Sequence, residues 1–281
     1  MIEPFRSGRA LVAEIAATRP AERSVSVWWL GQSGFVLKSA AATVLIDAYL
    51  SEHLTHKYAG TAHPHDRMTR APLLASDLTD VDLILCSHKH SDHMDPGSLP
   101  ALLAASPEAT LIVPASLKTY AAGLCPGAHR IEGIEAFATF HRAGVSVRAV
   151  PSAHEGLDTD DQGRHLYLGF VVALGGLRFY HSGDGLAHVG LADAIGPESL
   201  DVMFLPINGR DPARGAAGNM SAAEAVDLAD KVRPRFVVPH HYDMFTFNTA
   251  PVAEFEVEAR RLPPETAPKV LACGQRWEVS R

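Results

Sequence analysis

Short apolar runs, broken by glycine, proline and small polar residues, dominate the chain. Residues 4–18 place Phe5, Val12 and Ile15 near one helical face, which predicts an amphipathic helix ended by Arg19-Pro20. Strands are predicted at Val25–Leu30, Phe35–Lys38 and Thr43–Asp47, an antiparallel meander punctuated by Gly31 and Gly34. Residues 51–79 are polar, His-rich and weakly periodic, and read as a long functional loop with at most one helical turn. Val81–Cys86 reads as a buried strand, followed by a helix with Asp95 as N-cap and Pro96 at its first position. Leu111–Pro114 is a further strand and Ser116–Ala122 a short helix.

The second half repeats the scheme. Strands are expected at Ala136–Phe140, Val145–Val150, Tyr167–Leu174 and Leu177–His181, the last two joined by a hairpin at Gly175-Gly176. Asp201–Pro206 and Phe236–Pro239 read as buried strands. Ser221 and Glu224 form a capping box for the helix Ala222–Lys231. A final helix is expected over 251–261, and one or two strands within Val270–Val279. With no linker and no low-complexity segment, residues 1–281 are expected to form a single α/β domain of two stacked sheets flanked by helices.

Composition narrows the class. The chain has 281 residues, 47% of them hydrophobic and 20% charged, enough to bury a core without disulfides. Cys86, Cys125 and Cys273 are far apart, so neither a disulfide framework nor an all-cysteine zinc site is indicated. A reducing, cytoplasmic setting is expected, since no signal peptide or membrane span is evident. The net charge of −7 and the lack of a basic run argue against a nucleic-acid partner. Homo-oligomerisation is left open.

The chemistry concentrates in His88-Lys89-His90-Ser91-Asp92-His93, directly after a predicted buried strand. On an extended backbone His88 and His90 face the same way. A turn at Ser91-Asp92 would carry Asp92 and His93 to a neighbouring position, so the segment suits two metal ions. Imidazole and carboxylate without thiolate suit zinc or manganese, with ferrous iron equally compatible. His53, His56, His63 and His65 are expected to decorate the 51–79 loop, some of them lining a pocket. Arg67, Arg70 and Arg210 are candidates for holding an anionic small-molecule substrate, because guanidinium matches carboxylate and phosphate geometry. Cys86 reads as core.

His-x-His-x-Asp-His after a buried strand resembles the signature of the metallo-β-lactamase superfamily. That resemblance implies an αββα four-layer sandwich, with further ligands from later strand ends. His154 would complete a first site with His88 and His90. Asp184, in Tyr180-His181-Ser182-Gly183-Asp184-Gly185, would bridge both sites. His241 would join Asp92 and His93 in the second, with its neighbour His240 as the fallback or a substrate contact. Asp47 would support the metal-binding loop through hydrogen bonds. The segments Trp28–Ser39, Tyr180–Asp184 and Val237–His241 look like L-ascorbate-6-phosphate lactonases and their relatives, and the likeness runs from about Val27 to Phe247. It departs from that branch in the 51–79 segment and at His154.

The expected activity is hydrolysis by a hydroxide activated between two divalent ions. Asp92 or Asp184 would accept the nucleophile's proton, and His181 or a loop histidine would protonate the leaving group. The expected substrate is a lactone or ester of a small anionic, sugar-like molecule. A phosphodiesterase is the alternative within enzymes, and a non-catalytic metal-binding sensor or scaffold the alternative outside them.

Overall fold

A computed structural model describes residues 1–215 and 218–281. Its strands form two seven-stranded sheets, each part antiparallel and part parallel. In the first, β1 (Ser24–Gly31), β2 (Gly34–Lys38) and β3 (Thr43–Ile46) make the predicted meander, with β14 (Arg276–Ser280) on the free edge of β1. The sheet continues in parallel through β4 (Leu83–Leu85), β5 (Thr110–Pro114) and β6 (Ile131–Ile134). In the second, β7 (Thr139–Arg142), β8 (Val145–Pro151), β9 (Leu168–Leu174) and β10 (Leu177–His181) are antiparallel. Here β11 (Val202–Pro206), β12 (Phe236–His240) and β13 (Ala267–Pro268) extend the sheet in parallel.

The central strands β1 to β5, β9, β11 and β12 are nearly continuously buried because both faces of each sheet are covered there, while the edge strands β6, β7, β13 and β14 are partly exposed. Val27, Phe35 and Val44 from one sheet join Val147, Phe170 and Phe179 from the other in one apolar interior. Helices α1 (Gly8–Ala17), α3 (Leu99–Ala105) and α4 (Lys118–Leu124) cover the outer face of the first sheet through Leu11, Leu102 and Ala121. On the second sheet lie α5 (Leu191–Ile195), α6 (Ala222–Val232) and α7 (Val252–Glu258). The remaining helix, α2 (His53–Lys57), sits in the long segment after β3. This is the αββα arrangement. No helix among the described residues is long and apolar enough to cross a membrane.

Some boundaries differ from the sequence expectation. The first helix begins at Gly8 rather than at residue 4. Asp95 does not cap α3, whose N-cap is Ser98. Its carboxylate instead accepts from Ser51 Oγ at 2.8 Å, Ser51 N at 3.2 Å and Gly97 N at 2.9 Å, and so latches the long segment to the strand-end loop. The strand expected at Ala136–Phe140 falls at Thr139–Arg142, while β6, β13 and α5 are short elements without a clear sequence period. The capping box at Ser221 and Glu224 forms as read.

Candidate metal centre

All the metal-ligand candidates lie beyond the C-terminal ends of strands, after β4, β8, β10 and β12. These edges are where α/β sheets leave backbone free to build sites. After β4 the chain coils rather than staying extended: His93 N and Met94 N both donate to the His90 carbonyl, at 2.9 and 2.8 Å. His88, His90 and His154 form one cluster, and Asp92, His93, Asp184 and His241 a second. Within each, one ligand atom per residue lies within 4.8 Å of every other.

Asp184 stands between the clusters. Its Oδ1 is 3.1 Å from His93 Nε2, and its Oδ2 is 3.4 Å from His241 Nε2 and 3.7 Å from His154 Nε2. Gly183 makes this position reachable. Its φ is +63°, and a Cβ there would lie 2.6 Å from Ser87 Cβ, so only glycine lets the loop pack against the His88 segment.

His240 and His241 part company because the strand ends between them. His241 has φ +61°, and its N–H donates to the Gln32 carbonyl at 3.0 Å. That left-handed turn aims His241 at the cluster. His240 stays fully buried behind it, with Nδ1 3.1 Å from Ser33 Oγ, and does not line the cleft.

Asp47 ends β3 fully buried, in the left-handed region at φ +43°. Its carboxylate accepts from Ser87 N at 2.8 Å and Ser87 Oγ at 2.6 Å, and sits 2.7 Å from His93 Nδ1. The carboxylate therefore fixes His93 Nδ1 as a donor and leaves Nε2 toward Asp184. In the same way His154 Nδ1 meets the Gly218 carbonyl at 3.1 Å, leaving Nε2 inward. Gln32 Nε2 donates to Asp92 Oδ2 at 2.7 Å and lies 3.0 Å from His241 Nε2.

The electrostatics fit a divalent cation. Burial holds His88 well below the usual imidazole value and His90 at about 4, so both present lone pairs rather than protons at neutral pH. His88 Nε2 is buried without a hydrogen-bond partner. Burial also opposes a charged His93, yet Asp184, Asp47 and Asp92 together hold it well above the usual value. The carboxylates around His93 thus demand positive charge, which a divalent ion supplies better than one proton. With no thiolate in either cluster, the donor set admits zinc, manganese or iron.

A cleft of about 700 Å³ opens over both clusters. Asp92 and Asp184 are the acids in its lining; Lys57, Lys89 and Arg214 are the cations. Several residues expected here lie elsewhere. Arg210 pairs with Glu224 at the start of α6. His181 is fully buried: Gly183 N donates to its Nδ1 at 3.0 Å, and its Nε2 donates to the Ser33 carbonyl at 2.9 Å. With both nitrogens engaged, it has none to offer a leaving group, and burial lowers its pKa. Of the loop histidines, His63 and His65 line the cleft.

Arg67 is also turned away. Its Nη1 donates to the Ser51 carbonyl at 2.6 Å and its Nε to the Thr69 carbonyl at 3.1 Å, with the guanidinium 4.7 Å from the Tyr49 ring centre. It staples the long segment from within. Arg67→Met is expected to lower stability by about 1–3 kcal/mol while leaving metal content intact. Denaturant midpoints and elemental analysis check this; unchanged stability would return Arg67 to the list of substrate contacts.

Sequence reading gave no site role to Gln32, Ser33, Ser87 or Arg214. The first three had a signal: polar residues inside otherwise apolar strand ends, which must find partners when buried. Arg214 had none.

The chain is 28% identical to a UPF0173 protein of Pyrococcus abyssi over 238 residues, spanning 85% of this chain and 93% of that one. It is 28% identical to a UPF0173 metal-dependent hydrolase of Opitutus terrae over 261 residues, spanning 89% and 98%. Among solved structures it resembles Igni18, described as a metallo hydrolase from Ignicoccus hospitalis, with a TM-score of 0.67 at 19% identity, covering 92% of this chain and 99% of that one. Residues 26–241 match the model of the beta-lactamase superfamily domain, from β1 to the last histidine of the second cluster. The histidine-rich turn after β4, the αββα layers and this match place the ligand clusters in one known framework: the chain belongs to the metallo-β-lactamase superfamily.

Proposed function

We propose that the chain is a metal-dependent hydrolase holding two divalent ions, with a lactone or ester of a small anionic molecule as its substrate. One observation carries the reading: two ligand clusters lie side by side at the floor of an open cleft, with Asp184 of the second 3.7 Å from His154 of the first. A structural metal site is closed, whereas a catalytic one keeps room for water and substrate. That contrast weighs against a non-catalytic sensor. The hydrolase names carried by relatives of similar length support the same reading.

When bound, the two ions supply a Lewis acid for the oxygen under attack and lower the pKa of a shared water. The chain does the rest. Lys57, Lys89 and Arg214 draw an anionic substrate into the cleft. Asp92 is the less buried of the floor carboxylates, with 15% side-chain exposure against 5% for Asp184, and is the better placed to accept the nucleophile's proton. Gln32 holds its Oδ2 in place.

The same cationic mouth suits a phosphodiester, the second reading. Protein purified without chelator should carry transition metal, and chelation should abolish hydrolysis. A lactone series run beside bis-p-nitrophenyl phosphate separates the readings. No bound metal and no uptake of added metal would sink both.

A further inference from the structure

The long segment after β3 and the turn after β12 build one side of the cleft together. Met68 N donates to the Met244 carbonyl at 2.7 Å and Thr69 Oγ1 to the Asp243 carbonyl at 2.5 Å, so one backbone and one side-chain hydrogen bond join the two. From them Leu54, Tyr58, His65, Phe245 and Phe247 face the same space. His65 is at the centre. Its ring stacks on Tyr58 at 4.2 Å between centroids with 19° between planes. Phe247 lies 4.5 Å away and Phe245 5.0 Å, both steeply inclined. His65 Nδ1 lies 3.0 Å from the His63 carbonyl, which can only accept, so Nδ1 carries the hydrogen. Burial holds His65 below the usual imidazole value, which favours its uncharged ring, and Lys57 Nζ lies 5.1 Å from the Tyr58 ring centre.

A fully hydroxylated substrate would meet such a wall only through its C–H face. Fixed, inclined aromatic rings favour a flat apolar partner in stacked or edge contact. Arg214 adds the complement. Its guanidinium donates to the Asn208 carbonyl at 2.6 Å and the Thr249 carbonyl at 3.3 Å, and forms no ion pair among the described residues. With Lys57 and Lys89 it leaves net positive charge at the mouth.

We infer that the substrate carries an aromatic ring beside its scissile bond, seated on the Tyr58–His65–Phe247 wall, together with an anionic group facing Arg214. The inference rests on the metal-centre reading for the position of the reacting bond, and it narrows the anionic substrate to one with an aromatic group, in place of the sugar-like group expected from the sequence.

The test is calorimetric binding of phenylphosphonate and methylphosphonate to metal-loaded protein. The two share a head group and differ in the ring. Phenylphosphonate should bind at least about tenfold tighter, the effect of burying one ring face. In Phe247→Ala and in Tyr58→Leu, each checked for folding by thermal melting, the ratio should fall below about threefold. Equal binding of the two in the parent overturns the inference and leaves the metal centre standing. Binding of phenylphosphonate without methylphosphonate upholds the wall and removes the metal centre as the head-group site. Binding of neither overturns both. Glucose 6-phosphate binding more tightly than phenylphosphonate, with the same loss in both variants, makes the wall a sugar platform and overturns the aromatic assignment.

Discussion

Asp184→Ala is expected to lower turnover at least about 10²-fold and to weaken metal binding at both clusters at once. The size follows from the charge stabilisation that a bound ion gives the transition state, several kcal/mol of which depends on an intact ligand set. The breadth follows from position. Asp184 turns Oδ1 to His93 and Oδ2 to both His241 and His154, and so reaches members of both clusters. Removing it also takes away the largest of the negative charges that raise the pKa of His93. His154→Ala is the internal comparison, because His154 is a member of the first cluster alone. Metal titration of both variants, followed by elemental analysis and activity, gives the result. Loss of one ion in His154→Ala and of both in Asp184→Ala fits the shared-ligand arrangement. Parent-like stoichiometry in Asp184→Ala would break it.

The ligand candidates were legible because metal chemistry forces several rare residue types close together in sequence. His88, His90, Asp92 and His93 crowd one strand-end loop, and no packing role requires that. The distant members, His154, Asp184 and His241, were readable only through the resemblance, since a lone histidine or aspartate after a strand has many ordinary uses. The cause of the His240 and His241 split was partly visible. Alternation on a strand says that two neighbours face apart, but the chain leaves the strand at φ +61°, and pattern carries no sign of that turn.

Charged side chains were misread for a different reason. A sequence shows that arginine is present but not what surrounds it. Arg67 gives Nε and Nη1 to backbone carbonyls beside Tyr49, with Glu52 3.5 Å from Nε, and Arg210 is neutralised by Glu224, itself visible as the capping-box residue. Arg214 reaches the cleft from a short turn that no periodicity announces. The 51–79 segment was rightly singled out as long and polar. Its aromatic wall depends on Phe245 and Phe247, nearly two hundred positions further along the chain, and local pattern cannot pair the two.

Asp47 offers the second large effect. It touches no substrate and lies outside both ligand clusters, yet it carries the hydrogen bonds that orient them. Ser87 receives two of its contacts and stands beside His88, whose Nδ1 is 2.9 Å from Ser87 Oγ. The third orients His93. One carboxylate thus fixes a ring in each cluster. Asp47→Asn preserves volume and suits the left-handed backbone at φ +43°, where asparagine is tolerated better than most residues. It replaces one acceptor oxygen by a donor, so it cannot serve Ser87 N, Ser87 Oγ and His93 Nδ1 together. Metal affinity is expected to fall about 10- to 100-fold, with a small change in stability. Asp47→Ala adds the backbone strain and leaves Ser87 and His93 without their acceptor in a buried setting, at an expected cost of about 2–4 kcal/mol. Competition with a chromophoric chelator measures the first effect and denaturant unfolding the second. A purely structural aspartate would lose stability in both variants, with metal affinity following stability. A positioning aspartate separates them, and parent-like affinity in Asp47→Asn would assign Asp47 to the fold alone.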